Sequence, residues 1–141
     1  MPVGGEQAAS RKGALILGVD DDPTNLKVLQ EIVKAMGHSF LSASSGDECL
    51  KLLHRIAPKI ILLDIMMPGI DGFETCRRIR SDFPMLKVPV IFVSSLNNPE
   101  DVARGIGASG NDYIIKPFEP EKLRQRITHW LRSGITLEDD I

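Results

Sequence analysis

Polar residues with chemical potential stand at the ends of apolar runs in this 141-residue chain. Asp20 and Asp21 follow Leu15 to Val19, Asp64 follows Ile60 to Leu63, Ser94 and Ser95 follow Val90 to Val93, and Lys116 follows Tyr113 to Ile115. A run such as Ile60-Ile61-Leu62-Leu63 reads as a strand buried on both faces, and a carboxylate at its end needs a reason. Three carboxylates gathered in one place repel one another and raise at least one pKa unless a cation offsets them. All-oxygen donors with no cysteine or histidine nearby favour Mg2+, which accepts one or two carboxylates, keeps several waters and bridges readily to a phosphate. With the Lys116 ammonium and a hydroxyl, such a site neutralises the oxygens of a phosphoryl group, and an aspartate can itself be the nucleophile that becomes an aspartyl phosphate. Asp64 is the best placed of the three.

The elements that must bring these residues together alternate along the chain. Leu15 to Val19 reads as a strand, and Asp22 can cap a helix that begins with Pro23, shows Leu26, Leu29, Ile32, Val33 and Met36 on one face, and ends at Gly37. A weaker strand over Ser39 to Ala43 precedes Ser45-Gly46-Asp47-Glu48, which fits a capping box, with Ser44 a second cap candidate and Cys49, Leu52, Leu53 and Ile56 on one face. Strand three is Ile60 to Leu63, followed by a helix with Phe73, Cys76 and Ile79 inward. Strand four is Val90 to Val93, followed by a helix starting at Asn98-Pro99 with Val102, Ala103 and Ile106 inward. Strand five is Tyr113 to Ile115, and the last helix carries Leu123, Ile127, Trp130 and Leu131 on one face before Gly134 ends it.

Strands alternating with helices imply an α/β fold with a parallel sheet, helices on both faces and right-handed crossovers. An eight-fold barrel takes roughly 250 residues, so an open doubly wound sheet is preferred. With strands one and three as neighbours, in the flavodoxin-like order 2-1-3-4-5, all the polar endings fall on the edge where open α/β sheets bind their ligands.

Composition narrows the function classes. At 43% hydrophobic and 26% charged residues the chain suits one globular domain. A net charge of -2 with dispersed Lys and Arg favours neither nucleic acid nor a membrane surface, and no apolar run approaches the roughly 20 residues that span a bilayer. Residues 1–13 read as a flexible tail without the apolar core of a secretory signal, which suggests a cytoplasmic setting. Residues 14–133 form the domain, and 134–141 are a C-terminal tail or the start of a linker. Cys49 and Cys76 are too few for a disulfide framework or a zinc site and read as buried thiols. His38, His54 and His129 lie on separate elements without metal-binding spacing. Gly105-Ile106-Gly107-Ala108-Ser109-Gly110 matches the dinucleotide fingerprint by letter, but it follows a helix and precedes a strand, the reverse of what that motif needs. Its glycines read as the end of the fourth helix and the turn into strand five.

The set Val19-Asp20-Asp21, Asp64 with Met67-Pro68-Gly69 and Asp71-Gly72, Ser94-Ser95, and Asp112-Tyr113-Ile114-Ile115-Lys116-Pro117-Phe118 resembles the motifs of two-component response regulator receiver domains, from about Leu15 to Leu131. The resemblance implies that Asp64 accepts a phosphoryl group from a phosphohistidine on a sensor histidine kinase or histidine phosphotransfer protein. It implies further that Asp21 and Asp64 ligate Mg2+ directly, Asp20 acts mostly through water, and Met66 supplies a main-chain carbonyl. Lys116 would hold a phosphoryl oxygen. Ser94 would take the switch position, its hydroxyl moving to the phosphoryl group, with Tyr113 turning into the vacated space and reshaping the face of helix four, strand five and helix five. A homodimer through that face is compatible with the resemblance, and the Lys116-Pro117 bond is expected to be cis. Departures are Ser95, where alanine or glycine is usual, and the apolar Met66 and Leu96, neither of which can position an attacking water, so a slow loss of the phosphoryl group is expected.

Other readings stand beside this one. An aspartate-based, Mg2+-dependent phosphatase of the haloacid dehalogenase type also uses Asp and Lys, but it calls for Asp-x-Asp and Asp64-Ile65-Met66 lacks the second acid. A flavin carrier would need a Ser/Thr/Gly-rich loop after strand one, where this chain has three acids. A receiver-shaped module that is never phosphorylated is opposed by the intact motif set.

Overall fold

The structure is a computed structural model describing the backbone of residues 13–140 and the side chains of residues 13–133. Apart from Gly13, the tail expected at 1–13 lies outside the described residues. The elements are β1 (Leu15–Val19), α1 (Pro23–Ala35), β2 (Ser39–Ala43), α2 (Gly46–Leu52), β3 (Ile60–Leu63), α3 (Gly72–Asp82), β4 (Val90–Ser94), α4 (Pro99–Gly107), β5 (Asp112–Ile115) and α5 (Pro120–Asp140). The five strands are all parallel in the order β2-β1-β3-β4-β5, as the sequence pattern predicts.

The central strands explain why the pattern folds this way. Side chains alternate across a strand, so Ile61 and Leu63 of β3 enter a core with Cys49, Phe73, Cys76 and Ile79 of α2 and α3. Ile60 and Leu62 enter a second core with Leu29, Ile32 and Val33 of α1 and Leu123 and Ile127 of α5. Every residue of β3 is therefore buried, and so is every residue of β4. Helix starts are fixed locally. Asp22 accepts from the Thr24 amide, Ser45 from Glu48, Asp71 from Glu74 and Asn98 from Asp101, each satisfying a donor that the first helical turn leaves open. At α2 the Glu48 carboxylate reaches the amide of Ser44, one residue earlier than in the usual reciprocal box.

Two helices depart from the sequence expectation. Helix α4 does not point Ala103 and Ile106 inward. Ile106 is 57% exposed, Ala103 is exposed and Val102 is half-buried. The buried positions are Gly105 and Ala108, because α4 lies so close to β4 that a Cβ at Gly105 would come within 3.0 Å of the Phe92 ring and one at Gly110 within 2.3 Å. The smallest residues, not the largest apolar ones, choose this helix face. Its end is turned by Ser109, at φ +71°, whereas Gly105 and Gly110 make room for Phe92. Helix α5 does not stop at Gly134 but runs on to Asp140. A single glycine costs a helix only about 1 kcal/mol and need not end it.

Gly72 ties this frame to the site. Its amide donates to the Ile65 carbonyl over 2.9 Å, and a Cβ there would lie 2.3 Å from the Asp64 carbonyl oxygen. The start of α3 is thus pressed against the backbone that carries Asp64. Replacing Gly72 with alanine should lower stability by about 1–3 kcal/mol, the cost of overpacking, read from the urea midpoint. An unchanged midpoint would contradict this packing.

Candidate functional site

The sheet hydrogen bonding carries each candidate residue just past its strand. Val19 pairs with Leu63, and the next residue along, Asp64, donates its amide to the Val19 carbonyl over 2.9 Å. The Asp20 amide donates to Ala43 and the Lys116 amide to Ser94, over 3.1 and 2.8 Å. Consequently β1, β3, β4 and β5 deliver Asp20, Asp21, Asp64, Ser94 and Lys116 to one edge of the sheet. Carboxylate oxygens of Asp20, Asp21 and Asp64 lie within 4.8 Å of one another. Asp20 and Asp64 are buried, at 2% and 7% exposure, while Asp21 is exposed.

The charges are unevenly shared. Lys116 Nζ donates to Asp20 Oδ2 over 2.9 Å and stands 3.7 Å from Asp64 Oδ1. Asp20 Oδ1 also accepts the Asp22 amide over 2.9 Å, so Asp20 has both oxygens engaged. Asp64 is less well compensated. Burial, and then the Asp20 charge, push its pKa up from 3.8 to about 6, with Asp21 adding slightly, against the opposing pull of Lys116 and of an Ile65 backbone hydrogen bond. A buried carboxylate short of positive charge, beside two more carboxylates, is a donor set suited to a hard divalent cation: it offers oxygen alone, with no imidazole or thiolate.

Ser94 is completely buried, and its Oγ accepts the Leu96 amide over 3.2 Å. Tyr113 Oη donates to the Leu96 carbonyl over 2.7 Å. Burial raises the Tyr113 phenol above the ordinary tyrosine range, with a hydrogen bond from Ser94 as the chief opposing influence. Tyr113 is half-buried, with its hydroxyl tied to the Leu96 backbone beside Ser94. The Lys116-Pro117 bond is cis. Ser95 is exposed, Leu96 is half-buried, and Met66 is 59% exposed.

Three features at or near the site have little sequence signal. A groove of about 380 Å3 opens beside Asp20 and Lys116, walled by Asn25 and Val28 of α1 and by Pro117 and Phe118. Val28, 44% exposed, falls outside the apolar stripe of α1, and that off-stripe position is the one hint in the sequence. The Leu96 carbonyl, as a main-chain group, leaves no mark in sequence. Arg104 of α4 lies 4.4 Å over the Phe73 ring, Phe73 is 5.6 Å from Phe92, and Phe92 is 6.0 Å from Tyr113. This cation and three rings run from the start of α3 to β5.

The remaining candidates lie elsewhere. His38 accepts the Ala14 amide, His54 packs edge-on against Phe83, and His129 against Trp130. Trp130 packs on the α1/α5 core and donates its indole N–H to Asp112 over 2.9 Å. Cys49 and Cys76 are fully buried, and burial pushes the Cys49 thiol up to about 12 and raises that of Cys76. No helix among the described residues is long and apolar enough to cross a membrane.

Comparison with known proteins matches this geometry to a family. Residues 16–128 match the family described as "Response regulator receiver domain". The chain is 39% identical over 119 residues to the transcriptional regulatory protein AfsQ1 of Streptomyces coelicolor, covering 84% of this chain and 52% of that protein. It is 38% identical over 117 residues to "Probable transcriptional regulator ycf27" of Guillardia theta, covering 83% of this chain and 45% of that protein. The chain thus spans about half the length of these curated relatives. Among solved structures, the BeF3-activated DrrB receiver domain superposes with a TM-score of 0.77 at 32% identity, covering 85% of this chain and 98% of that one. A motif set at matching strand ends, a shared sheet order and a family match over most of the domain converge on one conclusion: the chain belongs to the receiver domains of two-component response regulators, a signalling family and not a metabolic one.

Proposed function

We propose that this chain is a phosphorylation-controlled receiver in which Asp64 accepts the phosphoryl group of a phosphohistidine on a sensor histidine kinase or histidine phosphotransfer protein. The observation that carries this reading is the buried Asp64 carboxylate, 3.7 Å from the Lys116 ammonium and within 4.8 Å of the Asp20 and Asp21 oxygens. A carboxylate oxygen of Asp64 forms the new bond to phosphorus. The bond from phosphorus to the imidazole nitrogen breaks, and its electron pair stays with the imidazole.

Asp21, Asp64 and the Met66 main-chain carbonyl would hold Mg2+, with Asp20 acting through water, and the bound ion supplies positive charge to the phosphoryl oxygens. Lys116, steadied by its bond to Asp20, meets a second oxygen. The Ser94 hydroxyl, whose oxygen accepts Leu96 N–H, turns to a third. That movement breaks the Ser94 to Leu96 bond and alters the loop to which Tyr113 is tied. Residues 14–133 form this receiver, 134–141 begin a tail or linker, and a cytoplasmic location goes with the role. The face of α4, β5 and α5, where Ile106 and Ile115 are exposed, is the surface through which a second copy would dock. Phosphatase turnover on foreign substrates is disfavoured, because Met66 presents a thioether where that chemistry calls for a second acid.

Incubation with Mg2+ and a small acyl-phosphate donor, read by intact mass, should add one phosphoryl group to the wild-type chain and none to Asp64→Asn. No gain, or a gain that survives the substitution, would overturn the assignment.

The Asp64 pKa generates a second expectation. Because it lies near 6 in the folded chain and near 3.8 when unperturbed, the folded state binds more protons between these values. Stability conferred by that proton is therefore present at low pH and lost as pH rises through the window. In metal-free buffer the wild type should lose on the order of 2 kcal/mol relative to Asp64→Asn between about pH 4 and pH 6.5. Mg2+ should raise the wild-type Tm at about pH 7.5 and much less at about pH 4.5, where the proton competes with it. Parallel pH profiles for the two proteins would contradict the charge account.

A further inference from the structure

Among the described residues, two methionines stand in succession after Asp64 with opposite exposures. Met67 is 8% exposed and packs in the core, whereas Met66 is 59% exposed. Successive Cα atoms are about 3.8 Å apart, so Met66 lies within roughly 8 Å of Asp64 along the backbone. It therefore sits on the same edge of the sheet as the carboxylate cluster. A solvent-exposed thioether is open to two-electron oxidation, and the product replaces a flexible apolar side chain with a polar one.

We propose that Met66 is an oxidation site whose sulfoxide shortens the life of the phosphoryl group on Asp64, an inference that rests on Asp64 being the phosphoacceptor. The oxidant is a peroxide. The Met66 sulfur lone pair attacks one peroxide oxygen, the O–O bond breaks, sulfur gains that oxygen and loses two electrons, and hydrogen peroxide is reduced to water. A thioether is a poor acceptor and cannot orient a water molecule, but a sulfoxide oxygen is a strong one. A water hydrogen-bonded to it can be aimed at phosphorus. Its oxygen forms the new bond, the bond from phosphorus to the Asp64 oxygen breaks, the electron pair returns to the carboxylate, and the released proton passes to solvent.

The other sulfur atoms among the described residues make the effect assignable. Met67 is shielded, Met36 is half-buried where α1 ends, at the opposite edge of the sheet from Asp64, and Cys49 and Cys76 are fully buried. Their raised pKa leaves little of the thiolate that peroxide attacks. Met85 is 90% exposed but lies between α3 and the start of β4, at the opposite edge of the sheet from Asp64. It serves as an internal standard that oxidises without touching the site.

The test treats the full chain with hydrogen peroxide, maps added oxygen by peptide mass, phosphorylates with Mg2+ and acetyl phosphate, removes the donor and follows decay by intact mass. Met66 and Met85 should each gain one oxygen and Met67 none. The oxidised protein should lose its phosphoryl group roughly three- to tenfold faster, less than the roughly hundredfold or more of a true general base, because the sulfoxide orients the water without taking its proton. Met66→Asn should decay faster than wild type without any oxidant, and Met66→Leu should decay at one rate before and after peroxide. Methionine sulfoxide reductase should restore the slow wild-type decay. Oxidation of Met85 without Met66, an unchanged decay after Met66 is oxidised, or an acceleration that persists in Met66→Leu would overturn the proposal. If untreated wild type gains no phosphoryl group, the reading of Asp64 itself falls, and this proposal with it.

Discussion

The Lys116 ammonium lies 2.9 Å from Asp20 and 3.7 Å from Asp64, one positive charge set against three converging carboxylates. That imbalance is the constraint on which the rest of the structure depends. Removing carboxylates from water is costly unless they are paired, and Asp20 is paired, with Lys116 on one oxygen and the Asp22 amide on the other. Asp64 is left with the remainder and responds by holding its proton more tightly than an ordinary aspartate. A site with a deficit of positive charge is built to receive it, whether as a metal ion or in competition with a proton. The same deficit keeps Asp64 reactive instead of sealed in a completed ion pair.

Holding three like charges together requires a frame that does not give way. Here it is supplied by strands buried on both faces, with β3 and β4 fully enclosed and the hydrogen-bond ladders continuing one residue past β3 to Asp64 and one past β5 to Lys116. The frame also links the crevice to the outer surface. Gly72 presses α3 against the Asp64 carbonyl, and Phe73 follows it at once. Its ring leads through Phe92 to Tyr113, while Arg104 of α4 lies on its other side. The Leu96 backbone receives Tyr113 on its carbonyl and bonds Ser94 through its amide. The groups facing the carboxylates and those shaping α4 and β5 are therefore joined through Leu96, in the loop between β4 and α4.

Much of this was legible in the sequence, for identifiable reasons. The branched runs of β3 and β4 admit little besides a doubly covered strand, and the carboxylates, hydroxyls and lysine at the strand ends could be placed on one edge once the alternation of elements was seen. Asp22, Ser45 and Asn98 announced their helices by side chain. The misreading of α4 has a physical cause. Hydrophobic periodicity assumes that the largest apolar residues face inward, but the bulk of Phe92 demands glycine at 105 and 110, where α4 comes closest, and Ile106 is left outside. Gly134 misled in the opposite sense, because one glycine does not outweigh the surrounding helix. The Leu96 contacts, the groove beside Lys116 and the placing of Arg104 over Phe73 were hidden because they depend on main-chain atoms or on relations between distant elements. Such relations have no period in sequence.

The central claim is that one carboxylate of the three, Asp64, becomes covalently phosphorylated. It is tested most directly by phosphorylating the chain with Mg2+ and acetyl phosphate, trapping the acyl phosphate by reduction with borohydride, and mapping the product by peptide mass. The account predicts a single aspartate converted to homoserine, at position 64, with Asp20 and Asp21 unchanged. Conversion at Asp20 or Asp21 instead, or at none of the three, would contradict it.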